Sequence, residues 1–449
     1  IGPELAGLIR TRQVTVEIYG GSPESFSLKI QNQKRQLERL PSLYDAWGIE
    51  KFLDVTPGQS KPKILVRVPP IEQYVKHFGL LVQLSGGQLD GLILNETDRD
   101  KARSLDAKGM AHIYSQLPAR PDYVILGYTR QIKEALTELG SVWKSVGEPV
   151  SVTTPEGLSA KLYQTVSVSH PKVSKSFLAL EHQKTLWGDG SVYLLEAVLP
   201  YRPKGFVFFG SAGAIGEKGK VYDVTVPKSF RTQEGDVDII NDPSHFIRGS
   251  RENLLSGVVH GNTNSPAELT LAQVDSLLDN GIDTVDVEGS LLAKTVAEFN
   301  RRHNSTVEFS TLNVVTDKPN SNRYLWSSPF DLSTVENKEK ELAKKLAVHS
   351  AMESIRERAD WETQADTERK AAILAAMPGL DPSHVMIENG QGKIDADPKQ
   401  KLSYYLFTPR PKDPQSPTIL IPMATSRFDP YNYHTDEWWD AHKTEIEAA

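Results

Sequence analysis

The chain has 449 residues, of which 39% are apolar and 24% charged, as expected for a globular protein of two or three domains. Its net charge of −7 comes without a concentrated basic stripe, which argues against nucleic acid and membrane as partners. The absence of cysteine excludes disulfides, thiolate zinc sites and cysteine nucleophiles. We expect a cytoplasmic protein, although secretion or delivery into another cell remains compatible with the composition.

The first region, residues 1–118, is predicted to be an α+β region of unknown role. Alternating or apolar runs predict strands at Gln13 to Tyr19, Lys63 to Val68 and Gly79 to Leu84. No motif in this region indicates catalysis. Pro118 and Pro121 bracket its boundary with the next region.

The second region, residues 119–358, is predicted to be an α/β domain with a mixed central sheet. Its strands alternate with helices, as in sheets that carry helices on both faces. The predicted strands are Tyr123 to Gly127, Leu162 to Val168, Phe177 to Leu180, Gly205 to Phe209, Leu254 to Val259 and Phe309 to Val315. The predicted helices are Thr129 to Leu139, Val192 to Leu199, Leu269 to Leu278, Leu291 to Phe299 and Val335 to Arg358.

The third region, residues 359–449, is interpreted as a C-terminal extension. It contains one helical pattern, Asp366 to Met377, and one apolar strand pattern, Thr418 to Met423. The aromatic segment from Tyr431 to Trp439 is predicted to pack on its own domain, and docking in a groove is the alternative.

Three segments of the second region carry candidate chemistry. The first is the strand from Phe206, which is predicted to enter a tight turn at Gly210-Ser211-Ala212-Gly213, before a second strand at Val221 to Pro227. Small residues let the backbone approach a ligand closely, although a plain turn would have the same composition.

The second segment, Val285 to Ser290, places Glu288 where a strand gives way to a helix. A carboxylate there can accept hydrogen bonds from two vicinal hydroxyls, or it can simply favour the helix N-terminus. The third segment ends in Thr316-Asp317, where a partly desolvated Asp can hold and donate a proton. An Asp in a turn before Lys-Pro is the alternative.

Taken in order, these segments resemble the nucleoside phosphorylase and 5′-methylthioadenosine (S-adenosylhomocysteine) nucleosidase superfamily. Further similarity comes from Tyr123 to Gly127, from the Gly188 to Ser191 turn and from Gly257 to Asn262, so the resemblance spans roughly residues 121–358. It implies a three-layer α/β domain that binds a ribonucleoside.

The resemblance also implies residue roles. Glu288 would bind the ribose hydroxyls beside the Val287 backbone, and Asp317 would protonate N7 of a departing purine. Ser211, Ala212, Gly213 and Gly190 would line the pocket near the sugar and the attacking water or phosphate. The ligand would be a small-molecule nucleoside or nucleotide, with no cofactor and no metal. A homodimer, or a protein partner bound through the terminal regions, is also compatible with it.

Three positions depart from the family pattern. Phe208 stands where phosphorylases commonly carry a phosphate-binding Arg, which favours hydrolysis. After the first strand, Tyr128-Thr-Arg130-Gln-Ile-Lys-Glu134 offers no early Glu to activate water, and Arg130 is instead a candidate phosphate ligand. Asn264 stands where the family usually has an aromatic residue that stacks on the base.

The leading hypothesis is therefore a purine nucleosidase. The alternatives are a phosphorylase that uses Arg130, and a non-catalytic module for nucleoside binding or protein interaction. The histidines lack metal-ligand spacing, and only His260 is assigned a place near the pocket.

Overall fold

The computed structural model describes residues 14–40, 48–58, 61–84, 86–140, 142–153, 157–166, 174–182, 188–215, 218–232, 234–237, 253–265, 269, 271–318, 335–376, 385–388, 391–394, 403–407 and 419–423. The described residues divide into two compact units. The first lies within Ile1–Thr165 and Ser174–Ile355, and the second within Val166–Val173 and Arg356–Ala449. The aromatic segment from Tyr431 to Trp439 lies outside the described residues.

The N-terminal part of the first unit is built on a five-stranded sheet of order β2-β3-β4-β1-β5. Its elements are β1 (Thr15–Gly20), α1 (Pro23–Asn32), β2 (Leu37–Leu40), β3 (Glu50–Asp54), β4 (Lys63–Val68), α2 (Glu72–Leu84), β5 (Gln88–Leu94) and α3 (Glu96–Gln116). Strand β1 is parallel to both of its neighbours, β4 and β5. Strands β2, β3 and β4 pair antiparallel, so this five-stranded sheet is mixed.

One predicted strand of this region, Gly79 to Leu84, is the second half of helix α2. The run is apolar except for Gln83, so its periodicity does not separate a strand from a buried helix. The helix buries Tyr74, Val75, Phe78 and Val82 in the core of the N-terminal sheet. The helical spacing of these residues begins upstream of the segment that was interpreted as a strand.

The central part of the first unit is a ten-stranded mixed sheet, which confirms the predicted mixed α/β class. The order is β12-β11-β13-β14-β10-β6-β9-β8-β7, and β15 pairs with both β10 and β11. The strands are β6 (Tyr123–Leu126), β7 (Trp143–Ser151), β8 (Leu158–Val166), β9 (Ser174–His182), β10 (Gly205–Ala214), β11 (Val224–Thr232), β12 (Gly235–Val237), β13 (Leu254–Asn262), β14 (Thr284–Asp286) and β15 (Glu308–Asp317). Strands β6 and β15 are both parallel to β10, and β9 is parallel to β6.

Helices cover both faces of this sheet. They are α4 (Thr129–Glu138), α5 (Asp189–Val198), α6 (Leu271–Asp279), α7 (Gly289–His303) and α8 (Val335–Ala376), with a short 3-10 turn at Leu199–Tyr201. Helices α5 and α7 share a core with Phe206, Phe208 and Phe309 of the sheet. Helices α4 and α8 share a core with Val207 and Leu312, which lie on the opposite face. The two cores follow the alternation of side chains along β10 and β15.

Helix α8 joins two patterns that were predicted as separate helices, Val335 to Arg358 and Asp366 to Met377. No Gly or Pro lies between them, so no residue forces a break. The second unit contains an antiparallel sheet of β16 (Val385–Glu388), β17 (Gln391–Ile394), β18 (Ser403–Phe407) and β19 (Ile419–Met423). None of the helices among the described residues has the length and apolar character needed to cross a membrane.

Candidate functional site

The three sequence motifs meet at one residue of the central strand, Gly213. Its neighbour on one side is Val285 of the antiparallel strand β14, and its neighbour on the other side is Asp317 of the parallel strand β15. Glu288 follows Val285 by three residues. The backbone register therefore places Val285 and Asp317 on either side of Gly213 near the carboxyl end of β10, where α/β sheets bind ligands. Glu288 lies two residues after the end of β14.

The predicted turn at Gly210-Ser211-Ala212-Gly213 is wrong in one respect, because strand β10 continues through all four residues to Ala214. The same strand pairs residue by residue with β15 along this length, with an irregularity between Ala212 and Gly213. Extended pairing needs no particular side chain size, so the small residues do not force a turn. Ser211 is exposed on the strand, whereas Ala212 and Gly213 are buried.

Glu288 is held at the junction between β14 and α7. Its side chain is buried, and Oε1 accepts a hydrogen bond from the backbone N–H of Gly188 at 3.1 Å. Its side chain makes no capping bond to helix α7. A backbone hydrogen bond from Val287 also stabilises the charged form of this carboxyl. The Gly188 turn and the Val287 backbone together hold the Glu288 side chain in place.

Asp286, not Glu288, supports the start of helix α7. Its Oδ1 accepts hydrogen bonds from the N–H groups of Glu288 at 3.0 Å and Gly289 at 2.8 Å. The fully buried His260 places Nε2 3.0 Å from the same oxygen and Nδ1 2.8 Å from Thr284 Oγ1. Because Asp286 takes the helix N-terminal amides, the carboxylate of Glu288 is left for a different partner.

Burial raises the pKa of the Glu288 carboxyl well above its ordinary value, and the negative charge of Asp286 raises it further. A backbone hydrogen bond from Gly188 acts in the opposite direction. Since the folded state holds this proton more tightly than the unfolded chain, the proton stabilises the fold at low pH. This contribution is lost as the pH rises from the unfolded pKa toward the folded pKa.

Glu288→Gln should therefore raise the melting temperature more at alkaline pH than at acidic pH. The amide keeps an oxygen for the Gly188 N–H but carries no charge to bury. The check is thermal unfolding of both proteins from pH 4 to pH 9, with Glu298→Gln, a half-buried position on the same helix, as control. A difference in melting temperature that stays constant across this range would contradict the raised pKa.

Asp317 ends strand β15 and is partly buried. Its Oδ1 accepts a hydrogen bond from Thr316 Oγ1 at 2.9 Å. Burial raises the pKa of the Asp317 carboxyl, while the Thr316 hydroxyl and the positive charge of Lys340 on α8 lower it. Asp317 thus keeps its proton to a higher pH than an ordinary Asp, as a general acid requires. Lys340 has no signal in the sequence, because it lies in the charged pattern of a long helix.

The remaining predicted residues are distributed around this end of the sheet. Gly190 is buried in the first turn of α5. The Val287 carbonyl accepts a hydrogen bond from Gln73 Nε2 at 3.4 Å. Asn264 is partly buried in the segment that follows β13.

Arg130 lies apart from them on helix α4. It is exposed and forms ion pairs with Glu341 of α8 and, at 3.6 Å, with Glu134. Helix α4 packs on the face of the sheet opposite to α5 and α7. The carboxylates of Glu341 and Glu134 therefore already neutralise its charge.

Several polar side chains near this end have buried atoms without hydrogen-bond partners among the described residues. Three of these side chains contribute both ring nitrogens of His182, Oγ of Ser191 and Nδ2 of Asn313. Side-chain alternation places His182 with Leu180, and Asn313 with Phe309, on the face covered by α5 and α7. Burial lowers the pKa of His182 to about 4, so its imidazole is neutral. Unsatisfied buried polar atoms are rare in proteins, and a polar ligand on this face would satisfy them.

Sequence reasoning assigned none of these three residues a role. A buried polar residue within an apolar strand, as Asn313 is in Leu-Asn-Val-Val, is the signal that was available. Within the described parts of the chain, no three His, Asp or Glu side chains are grouped so as to hold a metal ion.

Comparisons with known proteins give similarity of structure only. No model of a known protein family matches the chain, and no curated protein sequence matches it either. The structure is similar to that of a candidate methylthioadenosine nucleosidase from Weissella paramesenteroides, with 12% identity and a TM-score of 0.37, over 54% of this chain and 99% of the other. It is also similar to a 5′-methylthioadenosine/S-adenosyl homocysteine nucleosidase from Campylobacter jejuni, with 13% identity and a TM-score of 0.33, over 52% and 98%.

Proposed function

We propose that the protein is a purine nucleosidase-like hydrolase, which cleaves the N-glycosidic bond of a nucleoside or nucleotide. The observation that carries this proposal is the register at Gly213, which has Val285 on one side and Asp317 on the other. The sugar-binding segment and the base-protonating segment are thereby adjacent in a three-layer domain. The motifs at all three positions resemble those of the nucleosidase superfamily.

The proposed mechanism is dissociative. Glu288 accepts hydrogen bonds from the ribose hydroxyls while its other oxygen stays bound to Gly188 N–H. The bond between C1′ and the purine nitrogen breaks with its electron pair going to the base, and Asp317 donates its proton to N7. Water adds to C1′ and releases a proton to solvent. Ser211, Ala212 and Gly213 border the sugar and the water.

Hydrolysis is favoured over phosphorolysis because neither of the two candidate positions for a phosphate ligand, Phe208 and Arg130, offers an unpaired positive charge. Phe208, at the position of the phosphate-binding Arg, is buried in an apolar core with Phe206 and Phe309. Arg130, the alternative phosphate ligand, is already paired with two carboxylates. Neither of these two positions therefore offers a phosphate dianion the unpaired Arg that usually recognises it.

Base release should therefore proceed at the same rate with and without inorganic phosphate, and the sugar product should be free ribose or its 5′-substituted form. The measurement is liquid chromatography of base and sugar from purine nucleosides and nucleotides, with bound phosphate first removed by dialysis. A phosphate requirement with formation of a sugar 1-phosphate would replace hydrolysis by phosphorolysis.

One observation favours a second function, non-catalytic nucleoside binding. The segment after β6 offers only Glu134 as a water-activating carboxylate, and Glu134 is paired with Arg130 and with Lys345 at 2.9 Å. A paired, solvated carboxylate on the outer helix is poorly suited to act as a general base. Nucleoside binding by wild-type protein without base release from any purine compound would establish this second function.

A further inference from the structure

Helix α2 of the N-terminal sheet contacts the candidate site through Gln73. Its Nε2 donates to the Val287 carbonyl at 3.4 Å, and its Oε1 accepts from the Asp189 N–H at 2.9 Å. Val287 precedes the ribose-binding Glu288, and Asp189 follows Gly188, whose N–H holds Glu288. One buried side chain therefore joins the two segments that position Glu288.

The start of the same helix is fixed by the glycine-rich turn. The carboxylate of Asp189 accepts hydrogen bonds from the N–H groups of Glu72 at 3.2 Å and Gln73 at 3.3 Å. Gly188 has a φ of +57°, and a Cβ at this position would collide with the amide of Gln73. The positive φ and the close approach of Gln73 both require glycine at position 188, so helix α2 packs directly against the Gly188 turn.

Tyr74 follows Gln73 on helix α2. Its ring packs in the core of the N-terminal sheet and only 4% of the residue is exposed. Burial raises the pKa of the Tyr74 hydroxyl, and the negative charge of Glu288 raises it further. A Tyr with a packed ring and a polar tip is well suited to present a hydroxyl rigidly.

His77 lies one helical turn after Gln73 and on the same side of the helix. Its Nδ1 is 2.6 Å from Ser265 Oγ, next to Asn264, the residue at the family's base-stacking position. Burial lowers the pKa of His77 to about 4, so the imidazole is neutral at physiological pH. By contrast, Lys76 is exposed and pairs with Glu72.

We propose, on the basis of the proposed function, that helix α2 forms one wall of the nucleoside site. In this arrangement Tyr74 contacts the sugar beside Glu288, His77 contacts the base beside Asn264, and Gln73 is a positioning residue. The N-terminal region thus completes the site within the same chain and contributes to substrate selection. Its ligand class is a purine ribonucleoside, recognised from this side by a phenol hydroxyl and a neutral imidazole.

The first test is hydrogen–deuterium exchange of the full-length wild-type protein with and without saturating adenosine, guanosine or inosine. Amides of helix α2 should exchange more slowly with ligand, whereas those of α1, which is in the same sheet region, should not change. This readout requires no substitution and so does not depend on the folding of a variant.

The second test compares Tyr74→Phe and His77→Ala with the control Lys76→Ala by calorimetry. Loss of one hydrogen bond should weaken ribonucleoside binding by roughly three- to tenfold. The Tyr74→Phe loss should be equal for all three nucleosides. The His77→Ala loss should differ between them, because it acts at the base. Melting temperatures identify any variant that has lost its fold.

The outcomes separate the two proposals. If the wild type binds no purine nucleoside, the proposed function fails and this inference fails with it. Alternatively, the wild type binds a nucleoside while the exchange rates of the α2 amides do not change and the folded variants bind with the affinity of Lys76→Ala. In that case only the inference that α2 contacts the nucleoside is overturned. Protection of α2 with losses confined to Tyr74→Phe and His77→Ala supports it.

Discussion

Asp317→Asn should reduce base release to an undetectable rate while leaving the melting temperature nearly unchanged. Proton donation by one side chain contributes about 10²–10⁴-fold to a rate, and an amide has no proton to give in this role. The Asp317 side chain accepts a hydrogen bond from the Thr316 hydroxyl, which the amide oxygen can also accept. The measurement is single-turnover base release from a purine nucleoside, together with thermal unfolding.

The pH dependence of the wild-type rate of base release is a second test of Asp317 as the proton donor. The rate should fall as the pH rises through the Asp317 pKa, which burial has raised, because only the protonated form donates. Asp275→Asn, at an exposed position of helix α6, is the control and should keep the wild-type rate. If Asp317→Asn retains more than about a tenth of the wild-type rate, Asp317 is a structural residue at a strand end, and another acid must act.

Glu288→Gln should weaken nucleoside binding by roughly ten- to a hundredfold at a pH above the raised pKa of Glu288, where the carboxyl is ionised, because hydrogen bonds to a charged group contribute about 1.5–3 kcal/mol. The Gly188 N–H holds one oxygen of the side chain. In the variant this N–H would hold the amide oxygen and leave the NH₂ group facing the ribose hydroxyls, where it cannot accept their hydrogen bonds. The affinity is measured by calorimetry with a purine ribonucleoside.

The matched ligand for this test is the 2′-deoxynucleoside, which lacks the 2′-hydroxyl that the Glu288 carboxylate is proposed to bind. It should bind the wild type with a similar penalty, and the Glu288→Gln variant should discriminate little between the two sugars. Glu298→Gln should bind as the wild type does. Equal affinity of the wild type for ribo- and deoxyribonucleosides would show that Glu288 does not bind the 2′-hydroxyl.

The elements of the central sheet were predictable because their apolar patterns have a clear period and clear ends. Strand β6 was predicted to within one residue, since Gly127 terminates the run. The extent of β10 was not, because Gly210 and Gly213 indicate a turn in isolation and are extended only through pairing with β15. Tertiary pairing overrides local preference in such cases.

The positions of Glu288 and Asp317 on their elements followed from local motifs, whereas their supporting residues did not. Asp286 lies two residues before Glu288, and the capping role that it performs was assigned to Glu288 as the alternative. Gln73 contacts Val287 across a separation of 214 residues, and no local pattern reports such a contact. The contact between the N-terminal region and Val287 is therefore visible only in three dimensions.

The shared register at Gly213 has a consequence for how this chain can change over time. Val285 and Asp317 are aligned by backbone pairing on either side of one residue, so their spacing does not depend on which apolar side chains fill the cores. Conservative replacements in the cores should accumulate with little effect on that spacing. Insertion or deletion of a single residue in β15 would shift Asp317 by one strand position and turn its side chain to the other face. Variation in length should therefore be confined to the connecting segments, while these three strands keep their lengths.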